Sequence, residues 1–103
     1  MLEIKKIIKQ MDEELGDAKK YAECALKYRE DHPSLANAYY ALSLEEMKHM
    51  HILHGEAVKM IEEYRSKHGE APTAMKAVWD YKHEERMEEA EEVTHLQHMF
   101  TEK

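Results

Sequence analysis

Residues 33–68 read PSLANAYYALSLEEMKHMHILHGEAVKMIEEYRSKH. Apolar residues recur through this stretch at intervals of three and four, the period of one long amphipathic helix. The stripe they form runs Leu35, Tyr39, Leu42, Glu46, Met50, Leu53, Ala57, Met60 and Tyr64. Glu46 does not belong in it. A carboxylate at the centre of a buried stripe costs several kcal/mol unless a partner compensates it. His49 follows one turn on, at the edge of the same face, and completes Glu46-x-x-His49. An inward Glu with His three residues later is an arrangement by which helix bundles hold iron or manganese.

Two breaks flank this stretch. Asp31-His32-Pro33-Ser34 opens it, because Pro33 suits a first helical turn and pushes the preceding residue out of helix. Lys67-His68-Gly69 closes it with a helix C-cap signal, and Pro72 restarts a helix. The chain is therefore expected to be all-α, with three helices at about 2–31, 33–68 and 72–101 in one domain spanning 1–103. Short connections predict antiparallel neighbours running up, down and up. The first helix presents Ile4, Ile7, Met11, Glu14, Leu15, Ala18, Tyr21, Ala22 and Ala25 on one face. The third presents Met75, Val78, Trp79, Glu89, Ala90, Val93, Leu96 and Phe100. Three helices leave an apolar edge uncovered, so completion to four or more helices by a homodimer or larger homo-oligomer is expected.

Composition agrees with a helical protein and narrows its partners. Charged residues make up 36% and aromatics 8%, with only three Gly and two Pro. The net charge of −7 argues against nucleic acid as a partner and favours cations. The single cysteine, Cys24, permits no internal disulfide and no Cys-x-x-Cys knuckle. Met1 to Lys9 lacks the apolar segment and cleavage site of a secretory signal. No stretch approaches the ~20 apolar residues of a membrane helix. The expectation is a cytoplasmic protein without a membrane partner.

The other two stripes carry carboxylates of their own. Glu14 lies between Met11 and Ala18, and it stands as far before the turn near residue 32 as His49 stands beyond it, to within one residue. At about 1.5 Å per residue, Glu14, Glu46 and His49 reach similar heights in an antiparallel pair. Two inward carboxylates at one height repel unless a cation lies between them or one is protonated. On the third helix, Glu89 with Glu92 on its flank falls within about one turn of the same height, counted from the turn near residue 70. The candidate ligands are thus Glu14, Glu46, His49, Glu89 and Glu92. Carboxylates with one imidazole suit Fe, Mn or Zn rather than Cu.

In these motifs the chain resembles the ferritin-like superfamily, and within it the rubrerythrin-type di-iron carboxylate proteins. The resemblance runs through Glu14 with Tyr21, Ala22 and Ala25, through Leu44-Glu45-Glu46-Met47-Lys48-His49, and through Glu89-Ala90-Glu91-Glu92 with Val93-Thr94. It implies a di-iron site, with oxidation of Fe(II) by O₂ or peroxide as its chemistry. Glu46 and a partner Glu would bridge two irons, with Glu14 and His49 as terminal ligands. The family's fourth helix, which carries a second Glu-x-x-His, has no counterpart before Lys103. A second copy contributing its own Glu14, Glu46 and His49 would supply the missing ligands. The chain has no cysteine-rich electron-transfer module either, so redox activity would need an external electron donor.

The remaining polar and aromatic residues read more plainly. Tyr21, Tyr39 and Tyr64 are assigned to the core, with Tyr21 and Tyr39 available for hydrogen bonds around the ligands. His51 and His54 are assigned to solvent. His95 goes to the surface despite its Glu92-x-x-His95 spacing, and His83 to packing beside Trp79. The competing reading is a non-enzymatic helical assembly or adaptor module whose carboxylates form a degenerate metal site.

Overall fold

The two breaks read from the sequence are where the chain turns. The computed structural model describes residues 2–102; Met1 and Lys103, the ends of the expected domain, lie outside the described residues. Helix α1 spans Leu2–Tyr28, α2 spans Pro33–His68 and α3 spans Thr73–Thr101. The first helix stops three residues earlier than its periodicity suggested. Pro33 keeps His32 out of the helical conformation, at φ −139° and ψ 69°, so the turn has to close before it, and the His32 N–H donates to the Tyr28 carbonyl at 2.9 Å. Gly69 takes φ +78°, a conformation that favours glycine, and its N–H caps the Arg65 carbonyl at 2.9 Å.

The helices run up, down and up. Ser43 meets Ala18 while Glu14 meets His49, so α1 and α2 are antiparallel. Asp12 meets Arg86 and Arg29 meets Met99, so α1 and α3 are parallel. The rod measures 55 × 19 × 17 Å, its long axis being the length of α2 at about 1.5 Å per residue.

The α1–α2 hairpin is the tightest part. Near the turn its interface is made of small residues: Ala18, Ala22 and Ala25 of α1 against Ala36 and Ser43 of α2, all buried. With little side chain between them the backbones approach closely enough for the Ser43 hydroxyl to donate to the Ala18 carbonyl at 2.7 Å. The same hydroxyl accepts from Gln97 Nε2 of α3 at 2.9 Å, which satisfies a fully buried polar side chain. Further from the turn, Met11, Leu15, Met47, Met50 and Val93 form the larger-residue core.

This packing rotates α2 away from the stripe expected of it. Leu35 and Leu42 are each 43% exposed, while Ala36 and Ser43 are buried. Met50 and Ala57 of the expected stripe are buried and Tyr39, Glu46, Leu53, Met60 and Tyr64 half-buried. The buried face is thus shifted by only part of the ~100° between neighbouring residues, because close helix approach near the turn selects small side chains over apolar ones. Helix α3 departs too. Met75 and Val78 face solvent, and Arg86 is buried, between the half-buried Trp79 and the buried Val93. The second half of α3 is fastened by Val93, by the Tyr40–Phe100 stack at 4.8 Å and by Arg29, whose Nη1 donates to the Met99 carbonyl at 2.9 Å. Its first half covers little of the hairpin.

The accessible surface is 7388 Å² for a 12.2 kDa chain, against roughly 6,100 Å² for a typical monomer of that mass. No described helix is long and apolar enough to cross a membrane.

The rotation of α2 has a direct mutational signature. Ser43→Leu is expected to cost about 2–3 kcal/mol through overpacking and the lost hydrogen bonds, and Ser43→Ala about 1 kcal/mol. Leu35→Ala is expected to stay within ~0.5 kcal/mol. Urea denaturation of the three variants reads this out; equal costs for Leu35→Ala and Ser43→Leu would place the buried face on the wrong residues.

Candidate metal centre

The rotation that exposes Leu35 and Leu42 leaves Glu46 and His49 at the edge of the buried face of α2, beside the seam with α1. Glu14 lies at the facing edge of α1, between the turns that bury Met11 and Ala18. The antiparallel register brings the three together on the side of the hairpin away from α3. His49 Nδ1 is 3.4 Å from Glu14 Oε2 and 3.8 Å from Glu46 Oε2. One donor atom from each residue lies within 4.8 Å of the others. The side chains are graded in exposure: Glu46 18%, Glu14 29% and His49 50%.

The 3.4 Å contact is a His–Glu hydrogen-bond distance, and the other separations are wider than those around a bound ion. Donor atoms about 2.1 Å from a common ion lie ~3.0–3.5 Å apart at octahedral to tetrahedral angles, so a shared ion would require the side chains to draw in. Among the described residues, neither Glu14 nor Glu46 forms an ion pair with a lysine or arginine. Lys48, one turn from Glu45, points its ammonium at Glu45 at 3.4 Å instead. Two partly desolvated carboxylates thus face each other with one imidazole as their only partner. In its neutral form an imidazole can offer this same Nδ1 to a metal.

The cluster sits in a shallow groove lined by Gln10, Glu13, Ile52 and Leu53. Along the same seam towards the turn, Tyr39 stacks between Tyr21 at 6.0 Å and Tyr28 at 6.1 Å, centroid to centroid. This ladder closes the seam on one side of the cluster. On the other sides the groove is open, and the exposed Ile52 forms an apolar part of its rim.

Glu89 and Glu92 reach the expected height but lie on the other side of α1, outside this group. Glu92 Oε1 is 3.1 Å from Lys19 Nζ. The hydrogen bond and charge of Glu92, with smaller contributions from Glu23 and Glu89, raise the Lys19 ammonium above its ordinary pKa. The structure therefore brings Glu14, Glu46 and His49 together and sets Glu89 and Glu92 against a lysine.

Three features escaped the sequence reading. Ser43 and Gln97 form a buried polar link, whose only signal was a serine amid apolar residues. Arg86 is 7% exposed and its Nε donates to Asp12 Oδ1 at 2.8 Å; its place in the 79–86–93 heptad spacing was the available signal. His54, assigned to solvent, is half-buried and stacks on His83 at 5.7 Å. His51 and His95 are exposed, as assigned.

In comparisons with protein-family models, curated proteins and solved structures, the chain matches none.

Burial, followed by the charges of His83, His51 and Arg86, lowers the His54 pKa below its ordinary value of 6.5. Lys5 and Asp12 of α1 and Lys82 of α3 line the same region. The unfolded chain therefore binds the extra proton more readily than the folded one, and stability falls as pH drops through and below ~6.5. With chelator present, the urea midpoint is expected to fall between pH 7.5 and 5.5, and His54→Gln to remove part of that fall. A His54→Gln profile parallel to wild type would contradict the assignment.

Proposed function

We propose that Glu14, Glu46 and His49 are the ligands of an iron site of ferritin-like, rubrerythrin type, built when two copies of the chain join their open faces. The observation that supports this most is the pair of facing carboxylates with an imidazole between them and no lysine or arginine to neutralise them. A divalent cation relieves the repulsion, and the donor set suits iron, with manganese or zinc as competitors.

One copy offers three donors, fewer than iron takes. The groove around them is open, its rim carries the exposed Ile52, Leu42 of the same helix is also exposed, and the chain exposes more surface than a typical monomer of its mass. Each of these favours a second copy laid along the same seam. Two copies provide four carboxylates and two histidines, the set of a symmetric di-metal bundle. Glu14, Glu46 and His49 of each copy would hold the metal, Glu46 being the most enclosed of the three. The buried Leu15 and Met50 behind the cluster fix the ligand-bearing turns, while the tyrosine ladder and the partner's rim limit water.

Iron held in this way supplies oxidation–reduction with O₂ or peroxide. The reading is therefore a ferrous-iron oxidase, or a peroxide- or O₂-reducing enzyme supplied with electrons by a separate protein. A reducing cytoplasm, in which Cys24 stays a thiol, is the compartment this assumes. Exposed Leu35, Leu42, Met75 and Val78 also support the second reading, a helical assembly module in which the cluster binds no metal in the cell.

Metal analysis of the purified protein is expected to find iron, manganese or zinc, with Glu46→Ala losing it and Glu92→Gln keeping it. Metal at ~100 times its dissociation constant stabilises by about 2.7 kcal/mol, so removing it with EDTA is expected to lower Tm by ~10 °C or more for a chain of this size. It should also shift the sedimentation coefficient towards the monomer. Wild type and Glu46→Ala equally free of metal, with Tm and oligomer size unmoved by EDTA, would leave the assembly module as the reading.

A further inference from the structure

On the face of the hairpin away from the carboxylate–histidine cluster, α1, α2 and the first half of α3 enclose a cleft of about 380 Å³. That is within the ~300–1,000 Å³ of small-molecule sites. Its walls are apolar: Ile8 from α1, Val58 and Ile61 from α2, and Trp79 from α3. Its charged lining is of one dominant sign. Lys5, Lys82 and Arg86 contribute three cations against the single carboxylate of Asp12, in a chain whose net charge is −7.

Arg86 is the informative member. Its side chain is 7% exposed, yet among the described residues its guanidinium makes one hydrogen bond, from Nε to Asp12 Oδ1 at 2.8 Å. Among the described residues the N–H groups on its two terminal nitrogens have no protein partner. No described buried side-chain nitrogen or oxygen is left unsatisfied, so these donors open onto accessible space, and the cleft Arg86 lines provides it. A buried guanidinium with a free planar fork is the group that recognises a carboxylate through two parallel hydrogen bonds.

We infer that this cleft binds a small carboxylate with an apolar body, a medium-chain fatty acid being the simplest member of the class. The carboxylate sits on the Arg86 fork with Lys82 beside it, and the chain lies along Ile8, Val58, Ile61 and Trp79. The stacked His54 and His83 form the polar part of the wall, and burial of His54 favours its neutral form. The site is independent of the proposed metal centre, which lies on the other side of the hairpin.

Trp79 is the only tryptophan, so its fluorescence reports occupancy. Octanoate, octanol, octylammonium and acetate are titrated into the full chain with EDTA present. Octanoate is expected to shift Trp79 emission saturably and to bind about tenfold more tightly than octanol, the difference a charge-assisted carboxylate contact contributes. Acetate, lacking the body, is expected to give no shift. Lys82→Glu, a surface change, should weaken octanoate several-fold and leave octanol unchanged. Arg86→Lys, checked for helicity by circular dichroism, should weaken octanoate while retaining the charge. The proposal is overturned if octanol or octylammonium binds as tightly as octanoate, or if Lys82→Glu leaves octanoate affinity unchanged. It is also overturned if Trp79 emission of the ligand-free protein changes on dilution, which would mean that a second copy covers the cleft.

Discussion

The close approach of α1 and α2 near their turn is the constraint from which the rest of the molecule follows. Ala18, Ala22 and Ala25 facing Ala36 and Ser43 let two backbones come near enough for a serine hydroxyl to reach a helix carbonyl across the interface. Once that contact is made, the rotation of each helix about its own axis is no longer free. Ser43 points inward, so Glu46 and His49 are carried to the edge of the interface, and Leu42 beyond it. The third helix is tied to the same point through Gln97. One short stretch of small residues thus sets both which side of α2 is buried and where its carboxylate stands.

A carboxylate–histidine cluster at the edge of a seam differs from one at its centre. At the centre Glu46 would carry the full desolvation penalty of a buried charge; at 18% exposure it carries part of it. The protein tolerates two facing carboxylates because the groove is open to solvent. The same openness is why the three-residue set lacks further protein donors. Tolerance without a cation and incompleteness as a ligand site have one structural cause.

Much of this was legible before any coordinates. Pro33, Gly69 and Pro72 marked the turns because each imposes a local backbone requirement. Height along the rod was legible by counting from those turns, and it placed Glu14 opposite Glu46 and His49. Rotation about the helix axis was not. One residue is ~100°, and a reader weighing apolar character chooses Leu35 and Leu42 over Ala36 and Ser43, although close packing favours the small ones. Glu89 and Glu92 illustrate the same limit, since they share the cluster's height and face Lys19. Arg86 is absent from the apolar stripe of α3 because a guanidinium is an improbable core residue, although at Glu46 the same kind of irregularity was the leading signal.

The uneven attachment of α3 has a dynamic consequence. Its last turns are held by Arg29 on the terminal carbonyls, by the Phe100 ring and by Val93, whereas Thr73 to Glu85 rests on few neighbours. Amide protons should therefore exchange fastest at the Thr73 end and slow progressively towards Val93, as a helix peeling from one end does. Arg86 and Asp12 act as the stop for that peeling. Opening as far as this pair would widen the cleft beside Trp79 and leave the seam that carries Glu14, Glu46 and His49 closed, so one region of the rod can breathe while the other keeps its geometry.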